Sequence, residues 1–498
     1  MATTLVEGSL PESDQVFKVE SHGVDYIPLN ERWAKPRDIG AMWAGASVQI
    51  EYFIYGAVLM AVFGFTFAQA LSLIIIGNLS YFLLGLCSLQ APQTGTTVFA
   101  INRASYGPNG SRLIALFNWV TQIFFEVEGL ILIVGAALVL QIKAGFLGGT
   151  PAKVIFVIVA VLIQGVLPFL GHATILKTLR ALVIPFIILF AVLLGYAIPH
   201  ATTHGVAHAA DWQDYMEGLA FVIILSGLGW TECGNDYTRY CKPDSSKKAI
   251  VGWVFLGTAL PEILIMTLGA AVGTFLTTVG TQANAFVAFA HQSFIPAWFV
   301  DVFLIFCIVQ LFAINSLDMY SSGVTLQAMG VRIKRSQAVI VDCVIALGIT
   351  MFAIFDTSFD TFLRDFVDGV IIWIGPWAAI FLVDWWMRRS RYVPAELQRT
   401  DKGGLYYRTG GIYWPAIIAQ LVGMVAAVES LSAIFTMPHW LNEVTFHTTT
   451  KHDFGADFSV FMGIGVAALV YVVLAWRGVR AQSAEQDRML SSSSASTD

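Results

Sequence analysis

The stretch Ser226-Gly-Leu-Gly-Trp-Thr-Glu-Cys-Gly-Asn-Asp-Tyr-Thr-Arg-Tyr-Cys-Lys-Pro243 closes an apolar run that begins at Gly218, and it is not built like a lipid-facing helix. Gly227, Gly229 and Gly234 weaken a helix and expose its backbone. Glu232, Asn235 and Asp236 put polar groups at membrane depth, where each is costly without a partner. Trp230 adds a wide flat face. Unwound backbone is tolerated in a bilayer only where it lines a cavity or is buried in protein, so the pattern reads as a discontinuous transmembrane helix at a substrate site. The plainer reading is a glycine seam between packed helices, but such seams rarely carry this many polar groups.

The rest of the chain supports a membrane setting. Of 498 residues, 56% are hydrophobic and only 12% are charged, which excludes an ordinary soluble protein. Apolar stretches long enough to span a bilayer as helices fall at 39–63, 67–89, 113–142, 152–170, 181–198, 218–240, 249–275, 297–321, 338–355, 366–387, 412–437 and 458–476. No secretory signal pattern precedes the first of them. Twelve spans put both termini on one side. Of the 28 Lys and Arg, all but Lys143, Lys153, Arg364 and Lys451 fall in the two tails and in the loops on that same side. By the positive-inside rule both termini are cytoplasmic.

The expected organisation follows: a cytoplasmic tail (1–37), a first five-helix repeat (38–198), an extracellular loop (199–217), a second five-helix repeat (218–387), a basic cytoplasmic loop (388–411), two further helices (412–476) and a Ser-rich cytoplasmic tail (477–498). The Ser-rich end, 483–498, reads as disordered. Residues 91–110 are only half apolar and read as a short interfacial or re-entrant helix. His200, His204 and His208 share a spacing of four in an extracellular loop; with Gly205 inside the pattern, a solvated loop outweighs a metal site, and no metal or cofactor is expected.

The first span has its own mixture of glycine and polar groups, Gly45-Ala-Ser47-Val-Gln49-Ile-Glu51. It lies five spans before the segment around Trp230. An odd offset inverts the topology, and paired interrupted helices in two inverted halves point to a transporter's central site.

Four further motifs carry a family resemblance. They are Asn30-Glu-Arg-Trp33 with Asp38, Trp43 and Gly56; Ala91-Pro-Gln-Thr-Gly95 with Asn102-Arg-Ala-Ser-Tyr-Gly107; Asp236-Tyr-Thr-Arg-Tyr240; and Asn315-Ser-Leu-Asp-Met-Tyr320-Ser-Ser-Gly323 with Gln327-Ala-Met-Gly330. In this order they resemble the nucleobase:cation symporter family 1, particularly its purine–cytosine permease branch. The resemblance implies an all-α membrane protein of twelve helices. Its core would be a five-plus-five inverted repeat with discontinuous helices 1 and 6, plus two additional helices. It also implies alternating access around a small flat heterocycle held between aromatics of helices 3 and 6. Trp230, after Gly229, matches the helix 6 aromatic. Phe125 stands where helix 3 usually has tryptophan, and Gly129 where an amide is common. Sodium-binding members carry a Ser-Thr pair where this chain has Val309 and Gln310, which argues for a proton over sodium as the coupling ion.

A pocket for a nucleobase needs aromatic walls and a few amides or carboxylates at its rim. Phe125 and Trp230 supply walls; Gln49, Glu232, Asn235 and Asn315 supply the edge. Glu51, Glu126, Glu128 and Glu232 fall within spans, and intramembrane carboxylates mark substrate or ion pathways, so these four are the candidate proton carriers. Asp236 and Arg239 form a structural pair or part of an inner gate. The reading is a monomeric, multi-pass inner-membrane symporter that imports a nucleobase, coupled to protons, with no nucleic-acid partner. The alternative is a cation-coupled carrier of a cationic or allantoin- or hydantoin-like nitrogen compound. A membrane enzyme or receptor is disfavoured, because the spans hold no nucleophile–base pair, metal cluster or P-loop.

Overall fold

A computed structural model describes residues 16–17, 22–146, 148–202, 211–275, 285–356, 359–431 and 456–495. Among the described residues there is no strand, only one isolated bridge between Ala34 and Cys241. Among these residues ten helices are long and apolar enough to cross a membrane, or eleven when one sharply bent pair counts as one span.

That bent pair is the first span. α1 (Pro36–Ser47) starts on a proline at its first position, with the Asp38 carboxylate accepting from the Lys35 N–H. It stops at Ser47. Val48 (φ −87°, ψ 76°) leaves helical geometry, Gln49 is extended, and α2 (Ile50–Ala61) resumes at a bend of 54°. α3 (Phe67–Asn78) and α4 (Tyr81–Cys87) make one interrupted span, which runs into α5 (Ala91–Thr94). Two more one-turn helices follow, α6 (Val98–Ile101) and α7 (Arg103–Tyr106). The single re-entrant helix expected at 91–110 is therefore three buried turns: Gly95 and Gly107, at φ 64° and 77°, end two of them.

The 37-residue α8 (Pro108–Ala144) is followed by α9 (Gly149–Gln164), α10 (Val166–Leu170) and α11 (His172–Ala197). α12 (Trp212–Ile223) is capped by Asp211, whose carboxylate accepts from the backbone N–H of Gln213 and Asp214. It widens into a π-turn over Ile224–Leu228, in which Ser226 leaves helical geometry (φ −105°, ψ −122°). Non-helical turns follow, and α13 (Gly234–Thr238) is only five residues long. The remaining elements are α14 (Lys247–Gly273), α15 (Ala285–Ala290), α16 (Ala297–Ala328), α17 (Arg335–Asp356), α18 (Phe359–Met387), α19 (Pro394–Gln398), α20 (Trp414–Glu429) and α21 (Ser459–Ala495). The Ser-rich end expected to be disordered is helical through Ala495. Packing explains this: Gln486 is buried, donates to the Arg391 carbonyl and accepts from the Tyr406 hydroxyl. Of the spaced histidines, His200 stacks on Phe294 at 3.8 Å, whereas His204 and His208 lie outside the described residues.

Two packings position the centre. α14 lies along both halves of the broken first span. The approach is so close that a Cβ on Gly56 would sit 1.9 Å from the Met266 carbonyl oxygen, and one on Gly269 would sit 1.9 Å from that of Phe53. α8 pairs with α16. Facing outward, Ile158, Leu162, Ile184, Ile188 and Val473 leave large apolar side chains exposed, as lipid contact requires.

α18, α20 and α21 pack together around a buried ion pair. Arg388 Nε donates to Asp384 at 2.7 Å, and the Tyr471 hydroxyl donates to the other carboxylate oxygen at 2.7 Å. Removing one partner strands a buried charge, at a cost of about 3–5 kcal/mol. Asp384→Ala is thus expected to lower the melting temperature of the purified protein in detergent, and Asp384→Ala with Arg388→Met to recover part of the loss. An unchanged melting temperature in the single variant would show that the pair does not hold these helices.

Candidate functional site

The two helix breaks meet around a small cavity. Gln49, Glu51, Tyr52 and Tyr55 reach it from the first break and α2. Leu225 and Trp230 reach it from the second break, Phe125 from α8 and Asp318 from α16. Each break brings its side chains here because a chain that leaves helical geometry redirects successive residues away from the helix face.

Trp230 and Phe125 form parallel walls, with ring centroids 6.2 Å apart and planes within 11°. Each wall is held from behind. Phe366 of α18 packs edge-on against Phe125 at 4.6 Å, and Trp43 of α1 packs edge-on against Trp230 at 5.4 Å. The Trp230 indole N–H donates to the Tyr52 hydroxyl at 2.9 Å. A flat ring inserted between two others needs about 7 Å, twice the ~3.5 Å carbon contact distance. The cavity measures about 10 Å³, the room of one water molecule. This conformation is therefore closed around the site, and a heterocycle enters only when the walls part.

The edge of the cavity is polar and acidic. Gln49 is buried, and its side-chain oxygen has no hydrogen-bond partner among the described residues. Asp318 keeps one carboxylate oxygen unbonded. Glu51 lies close enough to Glu128 and Asp318 to interact with both electrostatically. Glu128 sits just behind the lining and accepts a hydrogen bond from the Tyr55 hydroxyl. Three carboxyls thus converge on one buried site, where ionising all of them without a cation is prohibitively costly.

The other residues singled out in the sequence lie around this centre rather than on its lining. Gly229 directly precedes Trp230 in the break. Glu232 accepts from the Gln122 amide at 2.8 Å, and its second oxygen is unbonded. Glu126 is fully buried, neither of its carboxylate oxygens is bonded among the described residues, and Gln122 is turned away from it to Glu232. Asn315 donates to the Glu126 carbonyl at 3.0 Å and to the Gln164 side chain at 3.2 Å. It occupies the space beside Gly129: a Cβ there would lie 2.2 Å from the Asn315 amide oxygen. The amide missing from α8 at Gly129 is in effect replaced by one reaching across from α16.

Asn235 accepts from the Ala91 N–H at 2.8 Å and donates to Gln90 at 3.0 Å, which commits it to holding α5. Asp236 accepts from the Val98 N–H at 2.9 Å and from Ser321 at 2.7 Å. Arg239 reaches the Gly23 carbonyl and the Tyr320 hydroxyl, tying the N-terminal segment to α16. These contacts tie the segment after the second break to α5, α6, α16 and the N-terminal segment.

Sequence reading missed Tyr52, Tyr55, Asp318 and Glu262. Tyr52 and Tyr55 lie one and four residues past Glu51, and both place a hydroxyl that needs a partner in an apolar span. Asp318 stands three residues after Asn315, one helical turn on. Glu262 is fully buried in the middle of α14. The rule that singled out the other glutamates, an ionisable side chain inside a span, applies equally to Asp318 and Glu262.

Known proteins agree with this architecture. YxlA of Bacillus subtilis (strain 168), which bears the name of a purine-cytosine permease, is 23% identical over 95% of this chain and 100% of its own length. The purine-cytosine permease fcyB of Emericella nidulans is 23% identical over 92% of this chain and 88% of its own. Among solved structures, Mhp1, a nucleobase-cation-symport-1 family transporter, superposes in a closed conformation with bromovinylhydantoin bound. The TM-score is 0.70, with 19% identity, over 96% of this chain and 99% of Mhp1. Its inward-facing conformation superposes with a TM-score of 0.69, over 93% of this chain and 95% of Mhp1. The family described as permeases for cytosine/purines, uracil, thiamine and allantoin matches residues 26–444, most of the chain. With that match spanning both helix breaks and the aromatic walls between them, the chain belongs to the cytosine/purine permease family.

Proposed function

We propose that the protein is a secondary active symporter that imports a nucleobase or related nitrogen heterocycle by alternating access, coupled to protons. One observation carries the reading: the parallel Phe125 and Trp230 rings over a cavity edged by Gln49, Glu51 and Asp318. The rings suit the faces of a planar base. The amide reads either donors or acceptors, and ionised carboxylates accept from exocyclic amino groups and ring N–H groups. The names of the relatives and of the superposed transporter support the same substrate class.

The wider architecture belongs to this reading too. We take the segment Trp212–Thr238 as a twelfth span, interrupted like the first, in a five-plus-five inverted repeat with two further helices. Both termini face the cytoplasm of a cell membrane, and the unit is a monomer. Transport requires the indole wall and the benzyl wall to separate by roughly 1 Å beyond their present spacing before a base fits. It also requires that the contacts of Asp236 and Arg239 part on the cytoplasmic side.

Coupling to a proton rather than sodium is supported by the carboxyls. Glu51, Glu128 and Asp318 converge on the cavity, and a proton held among them lowers their mutual repulsion. The same acids favour a second reading, a carrier of a cationic nitrogen compound, whose own charge would replace that proton.

Uptake of labelled cytosine, adenine, guanine, hypoxanthine, uracil, allantoin and a small guanidinium compound, in cells lacking their own nucleobase carriers, separates the two. At least one base is expected to accumulate. Trp230→Ala, at normal membrane abundance, is expected to cut that uptake by about 5- to 150-fold, from a stacking contribution of ~1–3 kcal/mol. Accumulation of the guanidinium compound alone would move the substrate to the cationic class.

A second measurement concerns the driving ion. Dissipating the proton gradient with a protonophore is expected to abolish accumulation of the base, whereas replacing sodium with choline leaves it unchanged. Uptake equally fast with and without a proton gradient would sink proton coupling.

A further inference from the structure

Behind the indole wall, a chain of hydrogen bonds leads out of the cavity to a carboxyl that is not part of its lining. Trp230 Nε1–H donates to the Tyr52 hydroxyl at 2.9 Å. The Tyr52 and Tyr81 hydroxyls are bonded to each other at 3.2 Å. The Tyr81 hydroxyl bonds to one carboxyl oxygen of Glu262, and the Ser226 hydroxyl bonds to the other. All five residues are buried, Glu262 completely. The chain crosses four segments: the second break (Ser226 and Trp230), α2 (Tyr52), α4 (Tyr81) and α14 (Glu262).

Its direction is set by simple counting. An ionised carboxylate only accepts, and a tyrosine hydroxyl has one proton to give. With Glu262 ionised, Tyr81 must donate to it, Tyr52 is then free to donate to Tyr81, and the Tyr52 oxygen is left to accept from Trp230. Every donor points toward Glu262, and the indole is anchored. With Glu262 protonated, its O–H can donate to Tyr81, and Tyr81 can turn to donate to Tyr52. The Tyr52 oxygen can then accept from both Tyr81 and Trp230, and the Tyr52 proton is free to turn toward the cavity it lines. One proton bound at Glu262 therefore lets Tyr52 act as a donor to the cavity while its oxygen still accepts from the indole.

We propose that Glu262 carries the transported proton at a site separate from the substrate cavity, and that Tyr81 and Tyr52 transmit its protonation to the cavity edge. The proton is taken by the Glu262 carboxylate from water on the outer side and released from the carboxylic acid to water on the inner side. Ser226 adds a second link. It lies at the non-helical point of the break, so the bond to Glu262 also ties the carboxyl to the hinge of that segment. The groups facing the carboxyl are Tyr81 of α4, Tyr52 of α2, Ser226 of the break and Asn78 of α3.

This inference rests on the proton coupling proposed above, and its test separates the two. The full-length protein is reconstituted in liposomes containing a pH-sensitive dye. Two readouts are taken with labelled cytosine, or with adenine if cytosine is not carried: exchange against internal unlabelled base, and proton entry accompanying the base. For Glu262→Gln, exchange is expected to persist, because it needs no net proton movement, while base-driven proton entry is lost and the pH dependence of uptake flattens. Tyr81→Phe removes the link while keeping the ring, and is expected to retain exchange with reduced proton entry. This variant decides the matter should Glu262→Gln fail to fold. If the native protein moves protons with the base and both variants do so undiminished, Glu262 is not the carrier and the proposed function stands. If the native protein moves base without protons, proton coupling falls and this inference falls with it.

Discussion

A chain that leaves helical geometry inside a bilayer has N–H and C=O groups with no water to bond, so everything near such a break must be arranged to satisfy them. Two such breaks, at Val48–Gln49 and over 224–233, face the cavity, and the neighbouring elements are organised around their repair. The Gly227 N–H finds the Ser80 hydroxyl at 3.0 Å, where α3 and α4 are themselves interrupted. The Gly229 N–H turns back to the Ile224 carbonyl at 3.0 Å. Beyond the break, the direction of repair reverses. Asn235, Asp236 and Thr238 bond to the backbone of Ala91, Val98 and Ser88, so the second break holds the 88–98 connection in place. Neither segment would keep its shape without the other.

The same arrangement places the functional groups. Because the breaks meet, side chains that would otherwise point into packed helix faces converge on one small cavity with aromatic walls and an acidic rim. The aromatic walls are rigid, being braced edge-on by Phe366 and Trp43. The rim is not at rest electrostatically: Glu51 and Asp318 share one dry space with Glu128 behind them, and among the described residues Asp318 keeps one carboxylate oxygen without a hydrogen bond. Buried acids without partners are expensive to keep. Their presence here fits a protein whose working cycle changes the number of protons or cations it holds.

Much of this was written in the local composition. Gly227, Gly229 and Gly234 among Glu232, Asn235 and Asp236 marked the second break, and Gly45 with Gln49 and Glu51 marked the first, because helix-weakening and polar residues have no other use at that depth. Trp230 was legible as a wall for the same reason. Phe125 came only through the family resemblance, since a phenylalanine in an apolar span carries no signal of its own. The roles of Asn235 and Asn315 were not legible: an amide in a span is polar wherever it points, and only packing against Ala91, Gln90, Glu126 and Gln164 decides what it bonds. Asp318 and Glu262 carried a readable signal that went unused.

Taken alone, the sequence determined the membrane setting, the run of helices and the positions of both breaks. Those follow from hydropathy, helix propensity and the cost of polar groups in lipid, all of which act within a few residues along the chain. Only the tertiary structure decided that the breaks face each other, that Phe125 lies parallel to Trp230, and that a hydrogen-bond chain runs from Trp230 through Tyr52 and Tyr81 to Glu262. Those contacts join residues up to 181 positions apart. Their geometry depends on how α14 and α8 pack against the rest, which no local preference specifies.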